Sequence, residues 1–171
     1  MRLGNKKDVS EYILDDSKLA HTSEEKDLGL IVDNNLKFEK HVTSKVNTAN
    51  KVMGLIRRSF DFLDSEMFAK LFKAMVRPHI EYANTTWFPI TKKMKNMIEN
   101  VQRRATKRVN GMRDQSYEDR LKSLKMPCLL YRKIRGDMIE VYKMCNNKYD
   151  DDLHLPLNFA TNTITVRKHV T

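Results

Sequence analysis

Apolar side chains recur at helical spacing through most of the chain, from Phe38 to Asn147. Because residues three and four apart share one face of an α-helix, each such row predicts an amphipathic helix with a buried stripe. The rows are Val42, Val46, Ala49, Met53, Ile56 and Phe60; Phe68, Leu71, Phe72, Met75 and His79; Met94, Ile98, Val101 and Ala105; and Leu130, Ile134, Met138, Val141 and Cys145. A chain with this pattern has to bury its helical faces against one another.

Capping residues and breakers set the predicted helix boundaries. The first helix begins near Phe38, and the second begins with Asp64 or Ser65 as N-cap and is kinked or ended by Pro78. The remaining predicted helices are Thr91 to Asn110, closed by Gly111; Ser116 to Lys125; and Cys128 to about Asn146, with Pro127 at the N1 position.

The first 36 residues have a different pattern of short extended pieces separated by turn residues. These pieces are Met1 to Gly4, Tyr12 to Leu14 and Asp27 to Val32. They carry too little apolar surface to be stable alone. The sequence therefore predicts an α+β fold that is mainly α, with a small N-terminal antiparallel β unit followed by an antiparallel bundle of four to five helices. The predicted segments are residues 1–36, 37–147 and a flexible tail, 148–171.

Positive charge is concentrated in the helical part of the chain. The chain has 32 Lys and Arg against 22 Asp and Glu, a net charge of +10. Residues 1–39 carry six basic and nine acidic side chains, whereas residues 91–113 carry eight basic side chains and only Glu99 as an acid. A local charge of this size attracts polyanions, although a solvated basic face is the alternative interpretation.

Several motifs appear in one order along the chain. They are Glu25–Gly29, His41, Val76–Ala83 with Trp87 and Pro89, Glu99–Thr106, Ser116–Leu121, Leu124, Met126–Pro127 and Tyr131–Asp137. Together they resemble the C-terminal part of reverse transcriptases from non-LTR retrotransposons of the LINE and jockey type. The resemblance implies a β-hairpin remnant of the polymerase palm in residues 1–36 and a thumb-like helical bundle in residues 37–147. The catalytic palm and fingers of such an RNA-directed DNA polymerase would lie upstream of Met1.

The resemblance and the charge together predict a nucleic-acid-binding protein without catalytic activity, catalytic residues, metal or cofactor. The predicted contacts are Lys92, Lys93, Arg103, Arg104, Lys107 and Arg108, with a second cluster of Arg132, Lys133 and Arg135 for which a solvated face is equally open. The expected partner is an RNA–DNA hybrid or duplex DNA, bound with low sequence specificity. Tyr149–Asp152 resembles a polymerase metal motif, but its position after the last helix favours an acidic linker.

Two other functions stay open at this stage. The first is a helical module that self-associates or binds another protein through an apolar surface. The second is a helix-turn-helix reader of DNA, although Glu118 and Asp119 on its presumed recognition helix oppose it. The sequence contains no apolar stretch that would span a membrane, and Met1 to Lys7 are polar and lack the apolar segment of a leader peptide. We therefore expect an intracellular protein, nuclear or cytoplasmic.

Overall fold

The computed structural model describes residues 1, 3–4, 11–146 and 148–149. Contacts divide the chain into two compact units, Met1–Asp137 and Met138–Thr171. The predicted tail, residues 148–171, lies outside the described residues except for Lys148 and Tyr149. The fold is α+β and mainly α, as the sequence predicts: two small β-hairpins precede the helices.

Each hairpin is closed by a two-residue turn with left-handed backbone. Strands β1 (Ile13–Leu14) and β2 (Ser17–Lys18) pair antiparallel, and so do β3 (Glu24–Asp27) and β4 (Leu30–Asp33). Leu28 and Gly29 have φ values of 45° and 82°, which the twist of a tight hairpin requires. The predicted single strand from Asp27 to Val32 is therefore wrong, since this turn divides it in two.

The β3–β4 hairpin is fixed to the helical part by two side chains. The Ile31 amide donates to Nδ1 of the fully buried His41 over 3.2 Å, and the Tyr82 hydroxyl donates to the Leu28 carbonyl at the turn. Tyr82 is itself fixed, because the Trp87 indole donates to its backbone carbonyl over 2.9 Å. Tyr82 and Trp87 thus have a structural role. The hairpin belongs to the same compact unit as the helices it contacts.

The helices begin largely where the capping residues predict. They are α1 (Glu39–Ser59), α2 (Ser65–Leu71), a π-helical turn (Phe72–Val76), α3 (Arg77–Ile80), α4 (Lys92–Thr106), α5 (Tyr117–Ser123) and α6 (Leu129–Cys145). Side chains of Asp64, Thr91 and Ser116 accept the backbone N–H three residues later, so all three are N-caps. Helix α1 packs against α3 and α4, and buries Val42, Val46, Ala49 and Ile56 as predicted.

The second predicted stripe is wrong after its first turn. Phe68, Phe72, Val76 and Ile80 are buried, whereas Met75 is 44% exposed. The π-helical turn accounts for the difference, because its wider winding adds a residue and rotates the following side chains by one position. Pro78 lies just after the π-helical turn, and the helix continues through it to Ile80.

Two further boundaries also differ from the prediction. Helix α4 ends at Thr106 rather than Asn110, because the Arg120 guanidinium binds the Arg103 carbonyl and the Thr106 hydroxyl at that end. Helix α6 begins at Leu129, so Pro127 precedes the helix instead of occupying N1. The α6 stripe is wrong as well: Leu129 and Lys133 are buried, while Ile134, Met138, Val141 and Cys145 are exposed.

Candidate nucleic-acid interface

The exposed face of α4 carries most of the predicted contact residues. Met94, Ile98, Val101 and Ala105 bury the opposite face against the core. The exposed side chains are Lys92, Lys93, Arg103, Arg104, Lys107 and Arg108. At a turn of 100° per residue, Lys92, Arg103 and Lys107 fall on one line, and a rise of 1.5 Å per residue gives that line a length of about 22 Å. These cations form a row with a gap of about 15 Å between Lys93 and Arg103, in which the same face carries Asn96 and Glu99.

These cations differ in how firmly they are held. Arg104 donates from Nε to the Asn100 carbonyl over 3.2 Å and from a terminal nitrogen to the Asn50 side chain on α1 over 3.3 Å. The Arg103 guanidinium lies 5.0 Å from the centre of the Tyr117 ring, a cation–π distance. Lys93 forms an exposed ion pair of 2.7 Å with Glu39, and this hydrogen bond lowers the pKa of the Glu39 carboxyl. Arg104 is thus the most preorganised member of the row.

The only acid of the basic segment, Glu99, is half-buried and lies at the edge of the row, between Lys92 and Arg103 along α4. Its carboxylate accepts the backbone N–H groups of Leu129 and Leu130 over 3.4 and 3.2 Å, at the first turn of α6. It also accepts a hydrogen bond from the Tyr117 hydroxyl. Burial, together with this hydrogen bond, raises the pKa of Tyr117. The Glu99 carboxylate therefore stabilises the N-terminus of α6.

Next to the row, α1 and the loop after α4 form two adjoining recesses. One has a volume of about 560 Å³ and is lined by Arg104, Lys107, Arg108, Val109, Asn110, Gly111 and Arg113. The other, of about 330 Å³, is lined by Asn50, Met53, Gly54, Arg57, Val101, Arg104, Ala105 and Arg108. Sequence analysis missed Arg57, because no local signal connects the last turn of α1 with the last turn of α4. Arg113 was visible only as part of the segment's net charge.

The second predicted cluster is used mostly inside the protein. Arg132 forms a two-point ion pair with Glu81, with N–O distances of 2.5 and 3.1 Å, and the pair raises the pKa of Arg132. Lys133 is only 6% exposed and its ammonium binds the Asp137 carboxylate over 2.9 Å and the Asn84 carbonyl. Of the three, only Arg135 is exposed. This cluster fastens α6 to the segment after α3 and offers little free charge.

Other kinds of site are not seen in the part of the chain that the structure describes. Across residues 11–146 and the few described positions beyond them, no three His, Cys, Asp or Glu side chains are grouped to hold a metal ion. Asp150–Asp152 lie outside the described residues. Among the described helices, none is long and apolar enough to cross a membrane.

Comparisons with known proteins leave the family open. No family model matches the chain, and no solved structure matches it. A protein of Caenorhabditis elegans whose name calls it uncharacterized is 25% identical to the chain over 134 residues. That similarity covers 76% of this chain and 65% of the relative, so the chain spans less than two thirds of the relative's length. The resemblance to retrotransposon reverse transcriptases stays a prediction.

Proposed function

We propose that this chain is a non-catalytic, reverse-transcriptase-like fragment that binds nucleic acid through α4. The observation that carries the proposal is the row of Lys92, Arg103 and Lys107, which is exposed while the carboxylate of the half-buried Glu99 binds the N-terminus of α6. Arg104 and Arg108 extend the row toward α1. Within a retroelement protein such a surface would hold the template–primer duplex, in the nucleus or the cytoplasm. The activity of any longer protein belongs to the same proposal.

Long basic side chains at helical spacing suit a phosphate backbone, because each can reach a phosphate and release condensed counterions. Contacts of this kind position a duplex but do not read its bases. We therefore expect an RNA–DNA hybrid or duplex DNA to bind with low sequence specificity and with an affinity that falls steeply with salt. We assign the chain no chemical step and no cofactor.

The test is fluorescence-anisotropy titration of duplex DNA, an RNA–DNA hybrid and single-stranded RNA across a salt series. The double variant Arg103→Glu/Lys107→Glu reverses two charges of the row. The matched control, Lys51→Glu/Lys73→Glu, makes the same change in net charge at exposed positions of α1 and the π-helical turn. Loss of two phosphate contacts should lower the slope of log affinity against log salt by about 2 in the first variant only.

If both double variants weaken binding equally, the attraction comes from net charge and the assigned surface is wrong. If the wild-type chain binds none of the three at low salt, the basic row is a solvated face. Either result would turn attention to the second candidate function.

That second candidate is self-association or binding of a protein partner through the first hairpin. Tyr12, Ile13 and Leu14 are 61%, 69% and 61% exposed, and Leu19 is 52% exposed. Several exposed large apolar side chains on one short hairpin favour contact with another chain. Light scattering of the wild type beside an Ile13→Lys variant tests this: a dimer that the variant dissociates supports it, and a monomeric wild type that captures no partner opposes it.

A further inference from the structure

The smaller recess lies between two matching faces of α1 and α4. On α1, Asn50, Met53, Gly54 and Arg57 follow the spacing i, i+3, i+4, i+7. On α4 and the turn that follows it, Val101, Arg104, Ala105 and Arg108 follow the same spacing. Each helix therefore contributes small or apolar residues to the floor and arginine to the rim. The recess is open to solvent on one side and has a volume of about 330 Å³.

Gly54 is the residue that leaves this space open. A Cβ built at Gly54 meets nothing within 4 Å, and the backbone there is ordinary α-helix. A larger side chain at this position would fit the helix but would project into the recess. The glycine is thus not required by packing or by backbone geometry, and it costs helix propensity. The open space beside Met53 is the structural consequence of the glycine.

The rim of the recess carries charge that the protein does not neutralise. Arg57, Arg104 and Arg108 lie around it, and no carboxylate forms an ion pair with any of them among residues 11–146. Arg104 is held in place by Asn50 and the Asn100 carbonyl. An apolar floor inside a ring of arginines is complementary to a flat, uncharged ring system attached to phosphate.

We propose that this recess receives one unpaired nucleotide of a bound strand. The base would lie against Met53 and the backbone at Gly54, and its phosphate would bind the arginines of the rim. A base pair within a duplex cannot enter, because its flat faces are stacked and its edges are paired. The inference rests on the proposed function and makes it more specific: the chain should prefer nucleic acid with a single-stranded segment beside a duplex, which the exposed row of α4 would hold.

The experiment compares wild type with Gly54→Leu, which fills the recess without changing charge. Ser44→Leu, at an exposed position of α1 outside both recesses, is the matched control. Three probes are titrated by anisotropy: a blunt DNA duplex, the same duplex with a single-stranded overhang, and that overhang made of abasic nucleotides. Abasic nucleotides keep the phosphates and remove the bases. Far-ultraviolet circular dichroism and thermal unfolding confirm that both variants fold.

We expect wild type to bind the overhang duplex several-fold more tightly than the abasic probe; the recess has no aromatic side chain, so the preference comes from apolar contact of the base with Met53 and the backbone at Gly54. Gly54→Leu should abolish that preference and bind the blunt duplex like wild type. If Gly54→Leu retains the preference for the overhang, or if wild type has no such preference, the recess does not receive a base and this inference is overturned. The proposed function is still supported in that case if wild type binds the blunt duplex. Failure of wild type to bind any probe would overturn both. If Gly54→Leu proves unfolded, Gly54→Met places a flexible uncharged side chain in the recess and should give the same loss.

Discussion

Replacement of Glu99 tests whether this acid supports the structure rather than the basic surface. In Glu99→Ala, the Leu129 and Leu130 amides and the Tyr117 hydroxyl lose their shared acceptor. Removing a side chain that caps a helix costs about 1 kcal/mol, and an unsatisfied hydroxyl in a half-buried position costs about 1 to 2 kcal/mol. With the lost attraction between the carboxylate and the helix N-terminus, the free energy of unfolding should fall by about 3 kcal/mol.

The variant Glu99→Gln separates charge from hydrogen bonding. The amide keeps one acceptor oxygen of the same reach but loses the negative charge at the α6 N-terminus, so we expect a loss of only about 1 kcal/mol. Asp61→Asn is the control, because it removes one exposed carboxylate from a loop and raises the net charge equally. Its stability should stay within about 0.5 kcal/mol of wild type.

Urea unfolding followed by fluorescence of the single tryptophan, Trp87, measures all three variants. Trp87 is buried in the native state, so its emission changes on unfolding. If Glu99→Ala were as stable as Asp61→Asn, the carboxylate would not be capping α6. In that case Glu99 would belong to the exposed face, and the row of cations would be partly neutralised.

Two further predictions concern buried polar groups. The pKa of His41 is lowered by burial and by the nearby charge of Lys45, so below about pH 6.5 the unfolded chain binds a proton that the native chain does not. The melting temperature should therefore decrease as the pH is lowered below about 6.5. In His41→Gln this decrease should be smaller than in wild type. Arg120 is 2% exposed and donates to the Thr106 hydroxyl and the carbonyls of Arg103 and Gln115. Arg120→Met should therefore cost about 3 kcal/mol in urea unfolding, and a loss below about 1 kcal/mol would show that these acceptors find other donors.

Local sequence signals were sufficient to predict features that depend on a single helix, such as its N-cap and its buried face. Thr91 and Ser116 cap the helices they were predicted to cap, because an N-cap depends only on the three residues that follow. The buried line of α4 and its exposed cations were predicted for the same reason. Strand β3 was missed because Glu24–Asp27 has no apolar alternation, and only its pairing with β4 makes it a strand.

Predictions failed where a residue acts against its usual environment. An analysis of apolar periodicity treats lysine and arginine as surface residues. It therefore could not predict that Arg120 of α5 and Lys133 of α6 are buried. With Lys133 assigned to the surface, the predicted stripe of α6 fell on residues such as Ile134 that are exposed. The π-helical turn was invisible for another reason, since an added residue changes the register without any marker in composition.

The candidate interface was predictable only in part. The row on α4 follows from one helix, whereas the recess exists only because α1 and α4 pack against each other, and both Gly54 and Ala105 line it. No spacing within the sequence relates Arg57 to Arg108. A reader of the sequence can therefore predict a basic surface but not its concave part, which is where a specific ligand would be selected.

The basic side chains fall into two groups, one buried and hydrogen-bonded within the protein and one exposed around α4. Arg120, Arg132 and Lys133 lie wholly or partly buried, and each has backbone or carboxylate acceptors that offset the cost of leaving water. The cations around α4 are exposed, close together and mostly without carboxylates, although the chain has 22 acids that an exposed ion pair could have used. Like charges in such a group repel one another and lower stability. Two of the buried cations are paired with acids, Arg132 with Glu81 and Lys133 with Asp137, whereas of the α4 group only Lys93 forms an ion pair among the described residues. The proposed binding of a polyanion rests on this difference.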